Sequence, residues 1–296
     1  MRTATIIGDF ICMPVSSRIA RLFDLAQCVC TLIEGDEKAL LIDTGTGYGN
    51  IRKAVEWMTD KPVEVFITHA HGDHVGGSYL WDSVYVNERD VPLYLTDTAD
   101  GRSHSIGSMM KQRMYTDPSG PYKVVEPCEI EFINVDEGDE FHLGGVDLKV
   151  IAMPGHTPGS IGLVNLKDRY LVSGDAICRG TLVFGEEKEA MTQYVELMKK
   201  LVNQYKGKID YILESHGPSP DPFAIVEGTL DACEGVLDGR YPGYVDWRFG
   251  KYLGKIKFDD AGREGMMFRA KPEGEVEGFC SDGMIGNITW FREVAK

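Results

Sequence analysis

The sequence predicts an α+β fold, and three observations predict it. Apolar runs of strand length fill the first 70 residues, a second set runs from 129 to 176, and two stretches of helical period follow at about 188–205 and 220–237. With 296 residues, 43% of them apolar, the chain can bury a substantial core as one large domain or two.

The first strands are expected at 5–13, 28–33, 39–42 and 63–67, separated by turn-forming Gly, Asp and Pro. One helix interrupts them: Ile51, Val55 and Met58, with Ala54 and Trp57 nearby, recur at helical spacing. It follows the glycine-rich run Thr-Gly-Thr-Gly-Tyr-Gly-Asn, which lacks the surroundings of a phosphate cradle and reads as a turn into a helix. The second strand set closes on a hairpin that echoes the first half. Residues 30–43 and 161–175 share an apolar strand, a charged turn, an apolar strand and a terminal aspartate, Asp43 or Asp175, which suggests two related halves. Each of the two later helices ends near a glycine, and a short strand at 209–213 between them delivers His216. Two segments stand outside this plan: a polar, methionine-rich and locally basic stretch at 96–123, and a tail at 239–296 rich in Gly, aromatic and charged residues. Both read as additions to one domain spanning 1–238.

The net charge of -15 would repel nucleic acid and anionic membrane, so neither is an expected partner. No apolar stretch approaches a membrane span, and the N-terminal apolar run is too short for a signal peptide. Seven cysteines without a CxxC pair point to reduced thiols and a cytoplasmic protein. Cys28 and Cys30 would share one face of a strand and could share a metal; two small core residues is the preferred reading.

Five of the seven histidines fall in three short motifs, Thr-His69-Ala-His71-Gly-Asp73-His74-Val-Gly-Gly, Pro-Gly-His156-Thr-Pro-Gly-Ser and Ser-His216-Gly-Pro. Ser-Gly-Asp175 stands between the last two. Imidazole and carboxylate are the ligands of zinc and similar ions, so these residues read as a metal site. At an extended strand end His69 and His71 point the same way and can grip one ion. Gly72 then lets the backbone turn, and Gly76 and Gly77 permit close approach of the following helix.

In order and separation these motifs resemble those of the metallo-β-lactamase superfamily, the glyoxalase II-like hydrolases, over roughly residues 25–235. The resemblance implies a four-layer αββα sandwich, here with an insert and a C-terminal extension, and a metal site at one sheet edge. It implies that one ion takes His69, His71 and His156, the other Asp73, His74 and His216, and that Asp175 bridges them. Two such ions lower the pKa of a shared water toward neutrality, giving a hydroxide nucleophile, while one polarises the substrate oxygen. Asp73 and Asp175 are then the catalytic carboxylates, Asp73 orienting the hydroxide, and Asp43 resembles the carboxylate that holds a ligand histidine from behind. Zinc is the first choice of metal, with iron or manganese as alternatives.

Within the family, aspartate at 175 departs from the cysteine of the thiolate-using β-lactamases, and His71 departs from the glutamate of flavodiiron-type reductases. Neither the tail nor the residues after His216 match glyoxalase II proper. The expected activity is hydrolysis of a small ester, thioester, lactone or phosphoester. An iron-dependent redox or sulfur-oxidising protein and a non-catalytic metal-binding protein are the rivals. Arg102, His104, Lys111 and Arg113 concentrate basic groups in an acidic chain, and Met109, Met110 and Met114 add an adaptable apolar surface. They are expected either to lid the site and favour an anionic small-molecule substrate, or to form a solvated helix packed on the sandwich. For the tail, the open roles are completing the pocket, forming a dimer contact and covering the sandwich.

Overall fold

The structure, a computed structural model, describes residues 4–112, 121–178, 181–184, 187–217 and 220–238, and three strands of the tail at 256–257, 264–269 and 287–292. The first sheet holds eight strands in chain order: β1 (Thr5–Ile7), β2 (Phe10–Pro14), β3 (Ile19–Phe23), β4 (Val29–Glu34), β5 (Ala39–Ile42), β6 (Val63–Phe66), β7 (Ser83–Val86) and β8 (Glu131–Asn134). The first five form an antiparallel meander, and β5 to β8 run parallel. The second sheet draws on β9 (Glu140–His142), β10 (Asp147–Ala152), β11 (Ile161–Asn165), β12 (Tyr170–Gly174), β14 (Tyr211–Glu214) and β15 (Asp221–Pro222), in the order β15-β14-β12-β11-β10-β9. Only β12 and β14 pair in parallel there. A third, small sheet joins β13 (Thr181–Phe184) to the tail strands β16 (Ile256–Lys257), β17 (Glu264–Arg269) and β18 (Asn287–Arg292).

The layers follow from which side chains each strand buries. Ile33, Leu40, Ile42 and Phe66 of the first sheet share one buried cluster with Leu148, Val150, Leu163 and Val172 of the second, so the two sheets pack face to face. Alternate residues of the same strands, Leu32, Ala39 and Leu41, instead meet Ile51, Ala54 and Val55 of helix α1 (Ile51–Met58). Ile151, Val164 and Ile212 meet Met191, Tyr194 and Met198 of helix α5 (Glu187–Tyr205) and Val226 and Ala232 of helix α6 (Ala224–Asp238). Strands buried on both faces read as near-continuous apolar runs, as β4, β5, β11 and β12 do. The remaining helices are α2 (Gly72–Val75), α3 (Val91–Tyr94) and α4 (Ala99–Gln112).

The run at 5–13 is a hairpin rather than one strand, turned at Gly8 with φ +57°. β3 has no counterpart among the expected strands because a buried arginine, Arg21, interrupts its apolar pattern. β8 belongs to the first sheet although it opens the second strand set. The glycine-rich loop does enter a helix, with Asn50 Oδ1 accepting from Lys53 N at 3.0 Å as its cap. A Cβ at Gly76 would lie 2.2 Å from the Thr46 carbonyl carbon, so what approaches Gly76 is this loop rather than the next helix. Among the described residues no helix is long and apolar enough to cross a membrane.

Candidate metal centre

Five of the donors sit just beyond the C-terminal end of a strand: His69 and His71 after β6, His156 after β10, Asp175 after β12 and His216 after β14. Asp73 and His74 occupy the single-turn helix α2, where His74 N donates to the His71 carbonyl at 2.9 Å. Glycines make the close approaches. Gly174 has φ +54°, and a Cβ there would lie 2.6 Å from Thr68 Oγ1.

Three groups of donors result among the described residues: His69, His71 and His156; His69, His74 and Asp175; and Cys28, Asp73 and His216, each with ligand atoms within 4.8 Å of one another. Asp175 Oδ2 lies 3.0 Å from His216 Nε2, 3.6 Å from His74 Nε2 and 3.7 Å from His156 Nε2. Asp73 Oδ2 lies 3.5 Å from both His74 Nε2 and His216 Nε2. Two donors bound tetrahedrally to one ion at about 2.05 Å stand about 3.3 Å apart, and most of these spacings are close to that edge.

The other nitrogen of three rings is already engaged. His74 Nδ1 faces Asp43 Oδ2 at 3.0 Å, His156 Nδ1 faces the Leu182 carbonyl at 2.8 Å, and His69 Nδ1 faces Thr68 Oγ1 at 3.1 Å. With the proton on Nδ1, each Nε2 turns its lone pair inward. His69 Nε2, His74 Nε2 and Asp175 Oδ1 are buried and have no hydrogen-bond partner. An orphaned buried polar atom costs about 1–3 kcal/mol. Several converging orphans with ligand chemistry fit a bound cation.

The electrostatics divide the site in two. Burial, reinforced by neighbouring histidines, pushes His69 well below the ordinary imidazole value and His71 down to about 3, and burial also lowers His156. These three are neutral, which is the ligating form. At His74 and His216 burial again opposes charge, but Asp73 and Asp175 outweigh it and raise both histidines. Burial likewise works against ionised Asp73 and Asp175, and the same two histidines reverse it and hold both carboxylates below the usual range. The carboxylates therefore stay ionised and demand a cation beside them.

Asp43 backs this site from a left-handed conformation, φ +57°, that few residues other than glycine adopt. Its Oδ1 accepts from Thr68 N at 2.8 Å, and its Oδ2 from Thr68 Oγ1 at 2.9 Å and Ser215 Oγ at 3.1 Å. One carboxylate thus touches His74 and the neighbours of His69 and His216.

The chain matches the model of the metallo-beta-lactamase superfamily over residues 23–234. It belongs to that superfamily. Among curated relatives, acyl-coenzyme A thioesterase MBLAC2 of Homo sapiens is 28% identical over 209 residues, covering 62% of this chain and 71% of that protein. Hydroxyacylglutathione hydrolase GloC of Haemophilus influenzae is 26% identical over 164 residues, covering 51% of this chain and 67% of the other. Among solved structures, a sec-alkylsulfatase from Pseudomonas sp. shares the fold with a TM-score of 0.57 at 16% identity, covering 79% of this chain and 43% of that one. This metallo-beta-lactamase superfamily member is a metal-dependent hydrolase.

Of the expected substrate contacts, Arg102 has a different task. It is buried, its Nε donating to Asp97 Oδ1 at 3.1 Å and its Nη1 to the carbonyls of Thr46 at 3.0 Å and Gly76 at 3.1 Å. Its Nη2 donates to the Val125 carbonyl, and its guanidinium lies 5.7 Å over the Tyr79 ring. The buried guanidinium ties α4 to the loops behind the metal-binding motif. His104 is exposed on α4. The Lys111 side chain, Arg113 and the three insert methionines' side chains lie outside the described residues, as do Trp247, Phe249, Tyr252 and the side chains of Phe268 and Trp290. His142 is exposed and paired with Asp147 at 2.7 Å. The pattern gave no sign of Asp90 and Asp24 at the site, and it raised Cys28 only as a metal partner for Cys30 with a core role preferred, whereas the thiol groups with Asp73 and His216.

Proposed function

We propose that this chain hydrolyses small thioesters at a dinuclear centre, zinc in the first instance. His69, His71 and His156 hold one ion, Asp73, His74 and His216 the other, and Asp175 both. The observation that carries the reading is the position of Asp175 Oδ2, within 3.0–3.7 Å of histidine nitrogens from both ligand sets. Two divalent ions, when bound, polarise a carbonyl oxygen and bring the pKa of water toward neutrality.

The chain's own residues set the direction of attack. His69, His74 and His156 are buried behind the centre, whereas His71, Asp73 and His216 are half-buried and form its open side. A substrate carbonyl enters there, with the Asp73 carboxylate on its flank as a proton acceptor. A thiolate leaves without help, because a free thiol has a pKa of about 8.5, and such a site has no need of a dedicated proton donor on the leaving side. Relatives named as an acyl-coenzyme A thioesterase and a hydroxyacylglutathione hydrolase support the choice of thioesters. Pairing of β18 with β13 supports the reading of residues 239–296 as an extension on the domain of residues 1–238.

The test is thiol release from acyl-coenzyme A and acylglutathione substrates by zinc-loaded protein, beside matched oxygen esters, lactones and phosphodiesters. Thioesters are expected to lead, and Asp175→Ala to lose one ion per chain and at least about 100-fold in kcat. Phosphodiester turnover alone, or full thioester turnover by Asp175→Ala, would overturn the proposal.

A further inference from the structure

Cys28 stands apart from the other described cysteines. Its Sγ lies 3.4 Å from Asp73 Oδ2, and its ligand atom groups with those of Asp73 and His216. Cys30, two residues on, sits instead among Leu22, Leu41 and Ile51 beneath α1, so the two thiols do not form a pair.

The position of Cys28 is built. Asp24, itself buried, accepts from Cys28 N at 2.9 Å, and Asp24 N donates back to the Cys28 carbonyl at 3.1 Å. Gln27 completes this turn in a left-handed conformation, φ +64°. The next residue, Val29, donates to the Ser215 carbonyl at 2.8 Å, which fastens the turn to the loop that carries His216. Asp24 Oδ2 also holds Thr46, through its backbone N–H at 2.9 Å and its hydroxyl at 2.7 Å.

A zinc–sulfur bond of about 2.3 Å and a zinc–oxygen bond of about 2.1 Å at a tetrahedral angle put sulfur and oxygen about 3.6 Å apart. The observed 3.4 Å approaches that edge, as does the 3.5 Å between Asp73 Oδ2 and His216 Nε2. Independently, His74 Nε2 is buried, lacks a hydrogen-bond partner and lies 3.5 Å from the same Asp73 oxygen. The Cys28 thiol and the orphaned His74 nitrogen therefore approach the same Asp73 oxygen.

We propose that Cys28 is a further protein ligand of the ion held by Asp73, His74 and His216, making it a mixed nitrogen, oxygen and sulfur site. On loading, the S–H bond breaks, its electron pair forms the metal–sulfur bond and the proton goes to solvent. A thiolate donor biases this position toward zinc and cadmium and away from magnesium and manganese. This rests on the metal centre proposed above.

The test is absorption spectroscopy of the full chain loaded with cobalt(II), comparing wild type, Cys28→Ser, Cys28→Ala and the exposed-cysteine control Cys128→Ser. Wild type and Cys128→Ser are expected to show a near-ultraviolet sulfur-to-cobalt charge-transfer band. Both Cys28 variants are expected to lose it while keeping the visible ligand-field bands of bound cobalt. Cadmium affinity is expected to fall roughly 10-fold or more in Cys28→Ser, with manganese affinity unchanged. Cobalt bound by wild type without a sulfur band, or a band that survives in both Cys28 variants, would overturn the Cys28 assignment and leave the metal centre standing. Failure of wild type to bind cobalt, zinc or cadmium would remove both.

Discussion

Replacing Asp90 with asparagine should loosen the first ligand set without touching a ligand. Asp90 is fully buried; its Oδ2 accepts from Ala70 N at 2.9 Å and Thr157 Oγ1 at 2.7 Å, and its Oδ1 from Gly159 N at 2.6 Å. Ala70 lies between His69 and His71, and Thr157 follows His156, so one carboxylate sets the spacing of all three histidines. An amide has one acceptor oxygen. If that oxygen keeps Ala70 and Thr157, the NH2 group meets Gly159 N–H donor to donor. One charge-assisted bond worth about 1.5–3 kcal/mol is lost outright, and two more weaken to neutral strength, for a total near 4 kcal/mol. For a chain of this size that lowers the melting temperature of metal-free protein by roughly 8–16 °C. Displacing the His156 loop from the His69 and His71 pair should also weaken the tighter zinc site about 10- to 100-fold. Calorimetry of metal-free protein and zinc competition against a chromophoric chelator measure the two effects, with the exposed Asp147→Asn as control. Melting within about 2 °C of wild type together with unchanged zinc affinity would refute the claim that Asp90 joins the two loops.

Asp43→Asn keeps a residue that tolerates the left-handed backbone but removes the charge facing His74 Nδ1; zinc affinity at the second position should fall about 10- to 100-fold, read by stepwise metal titration. Arg102→Lys loses the planar fork that reaches Asp97 and the Thr46, Gly76 and Val125 carbonyls, and should cost about 2–4 kcal/mol in chemical denaturation. Its KM values for anionic and neutral thioesters should shift together; a rise confined to anionic substrates would restore a substrate contact to Arg102. Metal-free protein should be most stable near pH 6.5, the ordinary histidine value. Below it the unfolded chain takes protons that folded His69, His71 and His156 refuse, so stability falls with acidification. Above it the stability contributed by the raised His74 and His216 is lost as each titrates at its folded value. Urea midpoints of chelated protein across pH 4–9 check this, and a profile that rises steadily through pH 8 would contradict it.

The seven candidate donors that the fold brings together were legible because they lie in short runs where residue type alone carries the chemistry. What holds them was not. Arg21 sits in the middle of β3 and obscures an apolar strand, yet its Nη2 donates to the Gly217 carbonyl at 3.0 Å and to the Glu214 carbonyl, on either side of His216. Its purpose becomes visible only once the fold brings together residues almost 200 positions apart. Asp90 and Asp24 look like ordinary acidic residues of a chain rich in them, because their partners are backbone N–H groups and hydroxyls, most of them on distant loops. Arg102 misled for the same reason: a basic residue in a polar stretch reads as exposed, and only burial shows its donors directed at carbonyls.

These hidden residues share one physical logic. Asp24, Asp43 and Asp90 each fasten two or more ligand-bearing or flanking loops by accepting hydrogen bonds, and Asp73 and Asp175 add two more carboxylates within the centre itself. Backbone N–H groups and hydroxyls meet all three fastening carboxylates, and Asp43 also faces His74 Nδ1 at 3.0 Å. Asp73 and Asp175 create a demand for positive charge at the centre, where in metal-free protein raised His74 and His216 answer it. Two divalent ions answer it more fully. A chain that spends buried carboxylates on holding its loops is thereby tuned to bind cations at the point where those loops meet, and removing any one of them should weaken metal binding as well as stability.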